Sequence, residues 1–173
     1  MKVAVQDANI LIDLELSGLL DLWFQLGIET HTTNLVCREL RKGSHIQALS
    51  YVKNGSILET IISFEDLLEV DRIHRSFEPK GAGVVDASVL FLAMQKGAML
   101  LTGDKPLRHE AEVKYRIEVH GTIWILDQLV LKGVIQGVVA ADKLEYLIGL
   151  TGEQKRRLPR KQSSEYIAKW RGI

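Results

Sequence analysis

Strand-like runs alternating with segments of helical period predict an α/β fold: a mainly parallel sheet covered by helices on both faces. Two observations carry that reading. Val3-Ala4-Val5 leads straight into Ile10, Leu11, Leu14, Leu16, Leu19, Leu20, Leu22 and Trp23, whose spacing is helical. Ala98-Met99-Leu100-Leu101 is a wholly apolar run, the pattern of a strand buried on both sides.

The elements follow in order. Val3–Val5 is the first strand, and Ser17-Gly18 breaks the helical stretch after it. Residues 28–32 are the second strand, and Thr33 or Asn34 caps a helix that carries Glu39 and ends near Gly43. Residues 46–52 continue helically to a turn at Asn54-Gly55. The β-branched run 56–62 is the third strand. Ser63 caps the next helix with Asp66 at the capping-box position, and the helix runs to about Phe77. Pro79-Lys80-Gly81-Ala82-Gly83 breaks it, before a strongly apolar helix over 84–95 that ends at Gly97. After the strand at 98–101 come a helix over 104–115, a strand at 117–120, and helices over 122–131 and 136–150. A short helix over 163–171 closes the chain.

The 173 residues fit one domain with a sizeable core, and 46% apolar with 25% charged residues is the balance of a soluble globular protein. No boundary is visible before Thr151, so residues 1–150 form the domain and 151–173 a basic extension that is partly helical. The formal net charge is zero, yet the extension holds seven Lys or Arg against two Glu. An acidic body with a basic tail permits nucleic-acid contact. The single cysteine, Cys37, lies on an apolar helical face and suits a buried thiol in a reducing compartment. No secretory leader and no apolar stretch of the ~20 residues needed to span a bilayer is present. The expectation is a cytoplasmic protein without a membrane partner.

Four acids stand where apolar elements begin or end: Asp7 after the first strand, Glu39 in the third helical stretch, Asp86 at the head of an apolar helix and Asp104 after the strand at 98–101. In open parallel sheets ligands collect beyond the carboxyl ends of the strands, where Asp7 and Asp104 both emerge. Like charges about 5 Å apart repel by roughly 3 kcal/mol at an effective dielectric of ~20. Four gathered carboxylates therefore take up protons or recruit cations, and an all-oxygen set suits Mg²⁺ or Mn²⁺ better than Zn²⁺. Taken singly, each acid has a plainer reading: Asp7 and Asp86 as helix caps, Glu39 on a solvated face beside Arg38 and Arg41, Asp104 in a Gly-Asp turn.

Three segments resemble the signature blocks of PIN domains: residues 5–14 around Asp7, residues 86–93 opening with Asp86, and Leu100-Leu101-Thr102-Gly103-Asp104-Lys105-Pro106-Leu107-Arg108. Glu39 in Val36-Cys37-Arg38-Glu39-Leu40 resembles the second acidic position of that family, and the likeness runs from Met1 to about Leu131. The chain is similar to the small prokaryotic members, VapC-like toxins of toxin–antitoxin pairs among them. The resemblance implies an α/β/α sandwich that cleaves RNA with Mg²⁺ or Mn²⁺. It implies Asp7, Glu39, Asp86 and Asp104 as catalytic metal ligands, Asn9 orienting Asp7, and Thr102 reaching the site through its hydroxyl. It further implies a homodimer and an antitoxin partner.

Lys105 and Arg108 are placed to grip phosphates beside the scissile bond, or stand as solvated helix charges. Asp13, one turn beyond Asn9, reads as a surface or salt-bridged acid. The five histidines show no paired ligand spacing, so a zinc site is not expected. The three tryptophans read as packing residues, with Trp170, between Lys169 and Arg171, a candidate for a nucleic-acid or partner surface. Two rivals stand beside the ribonuclease. One is a haloacid-dehalogenase-type phosphohydrolase, which Asn9 argues against because that chemistry has a second Asp there. The other is a non-catalytic PIN-like module that binds RNA or protein.

Overall fold

A computed structural model describes residues 2–77 and 82–172. The expected break at 79–83 lies outside the described residues except for Ala82 and Gly83. Five strands, β1 (Val3–Gln6), β2 (Glu29–Thr33), β3 (Ile57–Thr60), β4 (Met99–Leu101) and β5 (Val119–His120), form one sheet in the order β3-β2-β1-β4-β5. Every pairing is parallel. The helices are α1 (Ala8–Ser17), α2 (Leu20–Phe24), α3 (Asn34–Lys42), α4 (Ile46–Lys53), α5 (Phe64–Phe77), α6 (Val84–Lys96), α7 (Lys105–Val113), α8 (Thr122–Leu131), α9 (Gly137–Gly149) and α10 (Arg160–Arg171). On one side α1 packs with α3, α4, α8 and α9; on the other α6 lies on β1, β2 and β4 and packs with α5 and α7. The result is a three-layer α/β/α sandwich around an all-parallel sheet.

Local chemistry sets the boundaries. Gly18 ends α1 at φ 68, a conformation that costs glycine little and other residues much, so the apolar stretch 10–23 folds as two helices. The Thr33 hydroxyl accepts the Val36 N–H at 3.2 Å and starts α3. Ser63 and Asp66 exchange capping-box bonds before α5, the hydroxyl accepting the Asp66 N–H at 3.1 Å. Val5, Leu100 and Leu101 are fully buried, as a strand covered on both faces requires, and each such side chain contributes about 1.5–3 kcal/mol.

Three expectations are corrected. Helix α10 begins at Arg160, before the expected 163: Pro159 holds an extended N-cap, and Arg160-Lys161-Gln162 continues the helix without an apolar stripe to announce it. The strand expected at 117–120 is only Val119–His120, because the Ile117 N–H turns back to the Ala111 carbonyl at 2.9 Å. Trp170 is buried rather than surface-facing, its indole N–H donating to Asp127 at 3.0 Å, while Lys169 pairs with Asp127 and Arg171 with Asp142 and Glu145.

The C-terminal segment is docked on the body. Helix α10 lies along α9, and a Cβ on Gly137 would stand 2.5 Å from the Trp170 carbonyl oxygen. Only glycine allows that approach. Among the described residues no helix is long and apolar enough to cross a membrane.

Candidate active site

From β1 the chain moves outward through β2 to β3, then returns to the far side of β1 for β4 and β5. Where neighbouring strands send their connections to opposite sides, a crevice opens beyond their carboxyl ends. That crevice lies between β1 and β4. Asp7 follows β1 and Thr102-Gly103-Asp104 follows β4, with the Asp7 N–H on the Leu101 carbonyl at 3.0 Å.

Asp7 is 3% exposed and caps α1, its Oδ1 accepting the Ala8 N–H at 2.6 Å. Its Oδ2 accepts from the Asn9 side-chain amide at 2.7 Å and from the Thr102 hydroxyl at 2.8 Å. Burial, then the Asp86 charge, push the Asp7 carboxyl up to about 7, with Glu39 adding in the same direction; the Thr102 and Ala8 donors pull it back. The cap reading and the crevice reading are both true of this residue.

Asn9 ties the two loops together, since its Oδ1 accepts the Gly103 N–H at 2.9 Å. Thr102 serves both sides, its hydroxyl oxygen also accepting the Asp104 N–H at 3.1 Å. Asp104 caps α7, Oδ1 accepting the Leu107 N–H at 2.8 Å. Asp86 is not the cap of α6: it is the third helical residue, reaching back to the Gly83 N–H at 2.6 Å. Burial raises its carboxyl first and Asp104 raises it further, against the Gly83 N–H and His74. Glu39, solvent-exposed on α3, is raised by desolvation and then by Asp86, with Lys42 opposing.

The structure thus brings Asp7, Glu39 and Asp86 into mutual repulsion, and Asp104 joins through Asp86. The donor set is entirely oxygen, and a carboxyl driven to near-neutral affinity for its proton by burial, and then by its acidic neighbours, is one that a hard cation displaces the proton from. In chemistry the residues fit such an ion. In placement they do not close on one ion: among the described residues no three His, Cys, Asp or Glu side chains form one ligand group. Each of Asp7, Asp86 and Asp104 spends an oxygen on a helix start instead.

Lys105 is exposed at the first turn of α7. Arg108 is engaged within the fold, donating to the carbonyls of Val119 at 3.0 Å and Thr102 at 3.4 Å and to Glu112 at 3.3 Å.

Sequence reasoning missed Arg156. Its guanidinium pairs with Asp13 and donates to the Asn9 carbonyl at 2.8 Å. Asp13 is 4% exposed, not at the surface, and also accepts the Thr122 hydroxyl at 2.5 Å. Burial raises the Asp13 carboxyl, and Arg156 and Thr122 lower it. The basic tail is therefore wired to the residue that positions Asp7, and residues 155–158 wall a cleft of about 240 Å³ against Asn9, Asp13 and Asp104. A run of arginines signalled charge, but its partner lies more than a hundred residues away.

No curated protein matches the chain. A family model described as a PIN domain matches residues 3–171. That match takes in every strand and helix described above, the tail helix included, and the chain belongs to the PIN-domain family.

Proposed function

We propose that this protein is a metal-dependent endoribonuclease that hydrolyses RNA phosphodiester bonds, the toxin of a toxin–antitoxin pair acting in the cytoplasm as a homodimer. The observation that carries the chemistry is Asp7: a buried carboxylate at the switch point of the sheet, facing Asp86 and Glu39 and held by three donors. Asp7, Glu39, Asp86 and Asp104 would hold Mg²⁺ or Mn²⁺. Such an ion supplies Lewis acidity toward a phosphodiester oxygen and makes water a better nucleophile near neutral pH. The chain's own part is to aim Asp7: Asn9 and Thr102 fix one oxygen, Ala8 the other. Lys105, exposed beside Asp104, attracts the phosphate backbone.

A second reading, a non-catalytic PIN-like module binding RNA or protein, is favoured by one observation: as placed, no three of the acids form one ligand group among the described residues. Incubating the full chain with a pool of structured RNAs, with Mn²⁺ or with a chelator, separates the two. Endonuclease activity predicts internal cuts that require Mn²⁺ and vanish in Asp7→Asn and Asp86→Asn while both variants stay folded. Wild-type-like cleavage by either variant refutes the assigned acids; intact RNA with Mn²⁺ leaves the binding module.

A further inference from the structure

Across Gly103 from the cleft walled by Asn9, Asp13 and Asp104 lies a second cavity of about 380 Å³, bounded by the ends of β4 and β5, the start of α8 and the C-terminal segment. We propose that this cavity is a nucleotide subsite, holding one base and phosphate of the strand bound at the carboxylates. The proposal rests on the RNA reading above and adds where a neighbouring nucleotide sits.

Three features point to that ligand. His120 and Trp124 line the cavity and are stacked on each other, ring centroids 4.1 Å apart and planes within 9°. Both are half-buried, so the stack is ordered yet reachable, and a flat heterocycle extends it by a third ring. Lys105 and Arg157 line the same cavity and are exposed, and among the described residues no acid does so, which attracts a phosphate there. The volume lies at the small end of ligand pockets, about 300–1,000 Å³, and suits a single nucleotide.

The two sites share their wall. Thr102 donates its hydroxyl to Asp7 and lines the cavity, and Gly103 donates its N–H to Asn9 while lining both spaces. In the proposed arrangement a strand with one phosphodiester at the carboxylates lays its adjacent nucleotide against Trp124. The fourth side is the tail: Arg157, Leu158 and Pro159 stand opposite Thr102 because Arg156, next to them, is anchored on Asp13. The cavity exists only while residues 156–159 are docked.

The test is a titration of the full chain, in a chelator so that no cation reaches the acids, with adenosine or uridine monophosphate, and with ribose 5-phosphate and inorganic phosphate as baseless controls. Isothermal titration calorimetry reports binding in the wild type and in every variant alike. Saturable binding of the nucleotides is expected, with the baseless controls weaker by at least about 5-fold, the lower end of base–aromatic stacking. Trp124→Ala should weaken nucleotide binding about 5- to 100-fold and Trp124→Phe should restore most of it. Arg157→Gln, at an exposed position that leaves the fold intact, should weaken nucleotides and phosphate alike. Ribose 5-phosphate binding as tightly as a nucleotide, or a folded Trp124→Ala binding like wild type, overturns the subsite. Base-dependent binding without Mn²⁺-dependent cleavage keeps the subsite and removes the ribonuclease; cleavage without base-dependent binding does the reverse.

Discussion

Asp7 makes stability and chemistry oppose each other, and the opposition is measurable. Its carboxyl is held at about 7 in the folded chain against an ordinary value of 3.8. A carboxyl raised on folding binds its proton more tightly in the native state, so its contribution favours the fold below the unfolded value and is lost as pH rises through the folded one. Between pH 5 and pH 8 nearly all of two pH units of that linkage falls in range. At 1.36 kcal/mol per unit the native state should lose about 2.5 kcal/mol over that interval from Asp7 alone. For a domain of this size that is about 5–10 °C in Tm.

The assay is urea or thermal unfolding in a chelator at pH 5 and pH 8, for wild type and Asp7→Asn. Wild type should be less stable at pH 8. Asp7→Asn should flatten the dependence by about 2.5 kcal/mol, whatever fixed penalty its amide incurs against the Asn9 and Thr102 donors, because that penalty does not change with pH. Asp86 and Glu39 are raised in the same direction, so the variant keeps a residual slope of the same sign. Added Mn²⁺ should restore wild-type stability at pH 8, by about 2.7 kcal/mol at a hundredfold excess over Kd. A wild type equally stable at both pH values, or an Asp7→Asn variant with the wild-type slope, refutes the account of Asp7 as a carboxyl strained by burial and by Asp86.

Three further outcomes are expected. Asn9→Ala removes the bond that orients Asp7 and the bridge to Gly103, and should lower Mn²⁺-dependent cleavage about 10- to 100-fold, read as initial rates on one RNA. Arg156→Ala leaves Asp13 buried without its counter-charge and should destabilise by about 3–5 kcal/mol in urea unfolding, and Asp13→Asn in the same chain should recover most of it; an unchanged midpoint would show that the tail is not anchored there. Gly137→Ala drives a methyl into the Trp170 carbonyl and should cost about 1–3 kcal/mol, seen as a lower Tm and faster amide exchange in α10.

The alternation of elements was legible because its signals are local. The apolar run at 98–101 and the caps at Thr33 and Ser63 each depend on neighbours within a few residues, and the parallel sheet follows from their order. Asp7 and Asp104 were legible as crevice residues for the same reason, since each follows a strand directly. The start of α6 at Val84 was legible, but the plainer reading of Asp86 as its cap was not right: Gly83 is the cap, and Asp86, two residues inside the helix, reaches back to its N–H. Trp170 packs, as the tryptophans were read to do; what was not legible is how its neighbours Lys169 and Arg171 are neutralised, because the carboxylates that pair with them lie on α8 and α9.

Arg156 marks the limit of local reasoning most clearly, and it changes what the tail is for. Seven basic residues after Thr151 look like a mobile electrostatic lure. Charge alone would be satisfied by any position near the surface. Instead one guanidinium is held among Asp13, the Asn9 carbonyl and a cleft wall, with only 16% of its side chain exposed. A buried pair is weak evidence for stability, because isosteric apolar residues often serve as well, and its better-attested use is to fix one arrangement among several. Here the arrangement fixed is residues 155–158 beside Asp104 and Asn9. The basic segment is therefore a built wall of the crevice, and a chain cut before Arg156 should lose substrate affinity even where its remaining fold survives.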